Sequence, residues 1–166
     1  MLQRKNQIGR TMVEMLAVLA IIGVLTVGAI AGLSQATEKF RVNKTHDDIL
    51  AISQGVVDLY SWSRKYPRLE SSVLCKNGIF PDGCSNNIGR NPYGGKYIVE
   101  SNVNDGVDAE TYISITLDGL PASACNALAD EEMDWGDFLM DAAEGKSNPT
   151  CSDAGNDGYK FKITFY

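Results

Sequence analysis

Residues 9–33 read GRTMVEMLAVLAIIGVLTVGAIAGL, and nineteen of them in a row, Met15 to Leu33, carry neither charge nor proline. At about 1.5 Å per residue, that run is long enough to cross a hydrocarbon core as a helix. Directly before it stands one carboxylate, Glu14. An unpaired carboxylate inside a membrane costs roughly 2.5 to 3.5 kcal/mol on insertion scales, so a Glu here is neutralised, held at the interface or paired for a purpose. The stretch predicts a chain made at a membrane, with Glu14 as a candidate functional group.

Upstream lies a short, polar and basic stretch of nine residues, MLQRKNQIG, ending in Gly9. Arg4, Lys5 and Arg10 flank the apolar run on its amino-terminal side, which predicts that this flank stays cytoplasmic while the rest is exported. The leader ending in Gly9, the Glu five residues later and the apolar run together resemble the type IV prepilins. The proline-free run VEMLAVLAIIGVL is most similar to the type IVb pilins. This resemblance, which covers residues 9–33, implies cleavage between Gly9 and Arg10 by a prepilin peptidase, followed by N-methylation of Arg10. It also implies a salt bridge from Glu14 to the freed amino terminus of an adjacent subunit, which would enforce register because leaving it unmade is costly in a low-dielectric core. Arg10 departs from the family, which usually has an apolar residue there. Two plainer readings are an ordinary signal peptide cut near Ala29-Ile30-Ala31 and a simple membrane anchor. The apolar run exceeds the usual 7 to 15 residues of a signal peptide, and neither reading explains the spacing from Gly9 to Glu14.

Downstream, no proline occurs until Pro67, and apolar residues recur at Val42, Ile49, Ile52, Val56 and Leu59, one face of a helix. The expected helix runs from about Thr11 to Tyr66, apolar all round in its first half and amphipathic in its second, and stops before Pro67. Gly23, Gly28, Gly32 and Gly55 are points of bending or of close packing. Residues 67–166 suffice for one small head. Strands are expected at Lys96–Ser101, Thr111–Leu117 and Tyr159–Phe165, rich in β-branched and aromatic residues. A helix is expected over Pro121–Met133 with Ser123 as cap, and a weaker one over Asp134–Ala143. Asn102–Asp108 and Gly145–Gly158 read as loops. The layout is a leader (1–9), an apolar helix (10–33), its amphipathic continuation (34–66) and an extracytoplasmic head (67–166). The expected fold is α+β, the type IV pilin fold, with a long helix packed on a small antiparallel sheet.

Cys75, Cys84, Cys125 and Cys151 suit an oxidising compartment and allow three connectivities. The favoured pairs are Cys75 with Cys84, closing a short turn-rich loop, and Cys125 with Cys151. The second bridge is similar to the one that bounds a variable surface region in type IV pilins. No Cys-x-x-Cys pair exists and His46 is the only histidine, so no metal and no cofactor is expected. Asp153, Asn156 and Asp157 beside Gly158 suggest a calcium loop of the kind carried by type II secretion pseudopilins. The EF-hand pattern fails, since Gly155 holds the third position and Thr164 the twelfth. The acidic run Asp130, Glu131, Glu132, Asp134, Asp137, Asp141 and Glu144 reads first as a solvated face, and otherwise as a surface for Arg64, Lys65, Arg68 and Lys76 of a neighbouring head. Asn43-Lys44-Thr45 is a glycosylation sequon in letters only, and His46 with Asp47 and Asp48 reads as an exposed helical stretch without a nucleophile.

The chain holds 15 basic and 21 acidic residues, net −6. Removing a leader that carries Arg4 and Lys5 leaves 13 against 21, which argues against a nucleic-acid groove. The sequence thus predicts no catalytic residue and a structural role: a type IV pilus subunit, inserted in the bacterial inner membrane and polymerised outside the cell. Expected partners are further copies of itself, minor pilins, the prepilin peptidase and the inner-membrane assembly machinery. A type II secretion pseudopilin and a non-polymerising, membrane-anchored periplasmic binding module are the alternatives. Two cysteine pairs without a calcium loop favour the pilus.

Overall fold

The computed structural model describes residues 12–63, 65–101, 112–130, 133–135 and 149–165. The leader, Gly9 and Arg10, the loop 102–108 and much of the acidic run lie outside the described residues. Two compact units make up the chain, Met1–Lys39 and Phe40–Tyr166.

Within the first unit, the described residues all belong to helix α1 (Met12–Leu59). With no proline in the span, nothing interrupts its backbone ladder. Its apolar side chains, from Met12 to Leu33, are exposed on every face.

The second unit opens with the remainder of α1, whose buried residues are Val42, Thr45, Asp48, Ile49, Ile52 and Val56. The expected continuation to Tyr66 is corrected: α1 ends at Leu59 and the chain tightens into three-residue turns, with Ser61 N–H donating to Asp58 O and Ser63 N–H to Tyr60 O. Packing decides this end before Pro67 can. The early turn lets Tyr66 pack edge-on against Tyr60 at 5.7 Å and carries Leu69 into the core. Pro67 then opens a turn closed by Leu69 N–H on Tyr66 O, with Arg68 at φ 55° where glycine is the natural occupant.

A short helix α2 (Ser71–Lys76) follows, then strands β1 (Cys84–Ser85), β2 (Ile88–Arg90), β3 (Lys96–Ser101) and β4 (Ile113–Leu120), helix α3 (Ala122–Leu128), and strands β5 (Thr150–Asp153) and β6 (Tyr159–Phe165). They form one antiparallel sheet in the order β1-β2-β3-β4-β6-β5. The first four strands make a meander, and β6 then enters between β4 and β5. Alternation decides the faces: Ile113, Ile115 and Leu117 lie opposite Phe165, Ile163 and Phe161, and all six are buried. With Tyr97, Val99 and the apolar face of α1 they form one core.

The expected strand at Lys96–Ser101 matches β3, and that at Tyr159–Phe165 matches β6. Other expectations change. The Pro121–Met133 helix ends at Leu128, and its N-cap is Pro121, not Ser123. Met133 to Trp135 are not helical, and the rest of the weak Asp134–Ala143 helix lies outside the described residues. Within Gly145–Gly158, read as loop, Thr150–Asp153 forms β5 because β6 offers it a hydrogen-bonding edge. The β1–β2 hairpin turns on Asn86 and Asn87 at φ 54° and 63°, the positive-φ pair that suits the twist of a two-residue hairpin.

Candidate assembly helix and the straps of the head

From Met15 to Leu33 the part of α1 within the first unit presents carbon almost without relief. Its hydroxyls do not compete with this: Thr26 Oγ1 donates to Ile22 O at 2.7 Å, Thr37 Oγ1 to Leu33 O at 2.8 Å and Ser34 Oγ to Ala31 O at 3.3 Å. Each of these hydroxyls is returned to the helix backbone, as an environment without water requires. A Cβ placed on Gly23, Gly28 or Gly32 would meet nothing within 4 Å, so the glycines leave shallow places where another backbone can come close. By length and composition α1 is apolar enough to cross a membrane. Glu14 lies in its first turn. Glycine 9 and Arg10, the expected cleavage pair, fall outside the described residues.

In the head, the structure joins Cys75 to Cys84 and Cys125 to Cys151. The first bridge ties the end of α2 to β1, and the second ties α3 to β5. Between the cysteines of the first bridge, Phe80 is buried and stacks on Tyr97 with ring centroids 6.3 Å apart. Asp82 in the same loop receives Lys44 Nζ at 2.5 Å.

That ion pair belongs to a polar network that the sequence reading missed. Lys44 Nζ also reaches Asp48 Oδ2 at 3.5 Å, and the buried Tyr97 hydroxyl donates to the same oxygen at 3.1 Å. Burial raises the Asp48 pKa by penalising its charged form, with Lys44 and the Tyr97 hydrogen bond working against the shift. The hydrogen bond to Asp82, foremost, raises that of Lys44. Burial and then the Asp48 carboxylate push the Tyr97 phenol well above its ordinary value. The two carboxylates play different parts: Asp82 is exposed and holds the ammonium, whereas Asp48 is buried and held by the phenol. A signal was present in the sequence, since Asp48 falls three residues after Thr45 and four before Ile52 on the apolar face.

His46, read as exposed, is in fact largely covered, its side chain 17% accessible. Its ring lies 4.7 Å from that of Trp135, and Nε2 donates to Asp134 O at 2.5 Å. Trp135 in turn stacks on Phe161 at 5.5 Å. Thus His46 fastens to α1 a segment from inside the Cys125–Cys151 loop. The sequon asparagine precedes a threonine whose buried hydroxyl donates to Arg41 O.

The residues weighed as a calcium loop form a local turn. Asp153 Oδ1 accepts the Gly155 N–H at 2.7 Å, and Ala154 N–H donates to Gly158 O at 2.8 Å. Among the described residues no group of three or more His, Cys, Asp or Glu is placed to hold a metal ion. Of the acidic run, Asp130 and Asp134 are described and exposed, as are Lys65, Arg68 and Lys76 of the basic set.

Compared with known proteins, the chain matches a family model described as PilS N terminal over residues 39–156. No curated protein matches it, and no solved structure does.

Proposed function

The chain belongs to the PilS N-terminal family, a family related to type IV pilins, and from that premise we propose that it is a structural subunit of a type IV pilus, of the type IVb kind. The observation that carries this reading is the part of α1 in the first unit, whose apolar side chains from Met12 to Leu33 are all exposed, with Glu14 in the opening turn. Such a surface is stable in lipid or against other surfaces of its kind, and not in water.

In this reading the precursor is held in the bacterial inner membrane by α1, with the head outside. The prepilin peptidase removes residues 1–9 after Gly9, and the new amino terminus on Arg10 is methylated. The inner-membrane assembly machinery then transfers the subunit from lipid to a filament on the cell surface, together with minor pilins. There, α1 of each copy replaces lipid for its neighbours, and Glu14 meets the amine of an adjacent subunit. That pair selects one register because a copy out of step leaves a charge buried and unmatched. The function requires no catalytic group and no cofactor.

Intact-mass spectrometry of protein made with and without the peptidase tests the reading. The expected product lacks residues 1–9 only when the peptidase is present, gains about 14 Da for one methyl group and loses about 4 Da for two disulfides. A retained leader in both preparations would overturn processing and leave a simple anchor. A product starting near Gly32 would make the apolar run a signal peptide.

A further inference from the structure

The ten residues Cys75 to Cys84 do more than close a loop. Three side chains between the cysteines reach into the rest of the head. Ile79 lies so close to α1 that a Cβ on Gly55 would sit 2.7 Å from its Cγ2. Phe80 stacks on Tyr97 and occupies the space a side chain at Gly89 would need. Asp82 holds Lys44, which also reaches Asp48 beneath the Tyr97 hydroxyl. The loop therefore grips α1 at two places, Lys44 and Gly55, eleven residues apart along the helix. The two bridges also differ in access. Cys84 is exposed and Cys75 half-buried, whereas in the second bridge Cys151 is half-buried and Cys125 fully buried beside the Lys160 carbonyl.

We propose that the Cys75–Cys84 disulfide is a redox-exchangeable clasp that locks the head's part of α1 onto the sheet, and that the Cys125–Cys151 bridge is a fixed structural staple. The partner is a dithiol–disulfide oxidoreductase or a small dithiol acting at the exposed Cys84. A thiolate of the dithiol attacks Sγ of Cys84, the Cys75 sulfur leaves as thiolate and takes up a proton, and the second thiol of the dithiol then displaces Cys84. The protein gains two electrons and two protons, and the dithiol becomes a disulfide. The reverse exchange, with an oxidised partner, closes the clasp. Once opened, the loop no longer confines Ile79 and Asp82 to α1 or Phe80 to the sheet, so the helix loosens there while β4, β6 and β5 keep their pairing.

The test uses the full chain in detergent, treated with graded dithiothreitol, trapped by alkylation and read by peptide mass spectrometry alongside hydrogen exchange. The expected result is that Cys75–Cys84 opens first and that amides of residues 44–56 then exchange at least tenfold faster, with those of β4 and β6 unchanged. A Cys75→Ser/Cys84→Ser variant should reproduce this pattern without reductant. If that variant fails to accumulate, the selective reduction of the oxidised chain still decides. Opening of Cys125–Cys151 first or together with it, no opening before global unfolding, or unchanged exchange over 44–56 after reduction would each overturn the proposal.

Discussion

Helix α1 is one continuous element that serves two units in opposite ways. Within the first unit its isoleucines and leucines face outward, with Ile21 and Ile22 61% and 52% accessible, whereas in the second unit Ile49 and Ile52 are wholly covered. The residue types are the same and the backbone is the same, so the difference lies in whether the chain itself covers them. Burial within the chain stabilises the head, and in the function proposed above the apolar part draws its stability from lipid or from neighbouring copies.

Detaching the two parts gives the largest effect expected. A chain beginning at Phe40 should be soluble without detergent and monomeric by size-exclusion chromatography, whereas the full chain should require detergent or lipid. A full chain that is monomeric in plain buffer would erase the contrast. Glu14→Ala should abolish filaments, seen by electron microscopy, while leaving the amount and location of the precursor unchanged.

Paired substitutions on the single helix sharpen the comparison. Ile52→Ala should destabilise the head by about 2 to 5 kcal/mol through loss of burial and a residual cavity. Ile22→Ala, the same chemical change thirty residues earlier, should leave the thermal unfolding of the head where it was. Equal shifts in the two melting curves would mean that the parts do not differ as described.

Acidity probes the polar spot in the otherwise apolar face of the second part. The folded-state pKa of Asp48 is raised by burial, so the folded head binds this proton more tightly than the unfolded chain. Its contribution to stability is therefore fully present below the ordinary carboxylate pKa and is lost as pH rises through the raised folded value. Melting temperatures measured against pH should show this fall, and Asp48→Asn should remove it. The smallest effect is expected at Arg68: glycine there should raise stability by about 1 kcal/mol by relieving the positive φ, read in denaturant titrations.

The two parts also differ in how far they can be read from sequence. The apolar run, Glu14 and the amphipathic register of Ile49, Ile52 and Val56 are local patterns with a fixed period, and strands β3 and β6 alternate enough to be legible. The end of α1 is not, because it depends on Tyr60 meeting Tyr66, a contact made only after the turn exists. Strand β5 has four residues and little pattern of its own, and the edge of β6 supplies its reason to be extended. The role of Asp48 depends on Tyr97, forty-nine residues away, and His46 is covered by Trp135 from a distant loop. Long-range partners of this sort leave at most a residue out of place in a local pattern, as Asp48 is.

The position of β6 has a consequence in time. It follows every other strand in the chain, yet it sits between β4 and β5 in the sheet. In the order in which the chain is made α1 comes first, and all four strands of the β1 to β4 meander precede β6. Strand β5 has no edge to join until β6 arrives, and the inward faces of Ile113, Ile115 and Leu117 stay uncovered on that side until then. Closure of the sheet thus waits on its last strand, and a chain cut short before Tyr159 is expected to leave it open for a chaperone or protease to find.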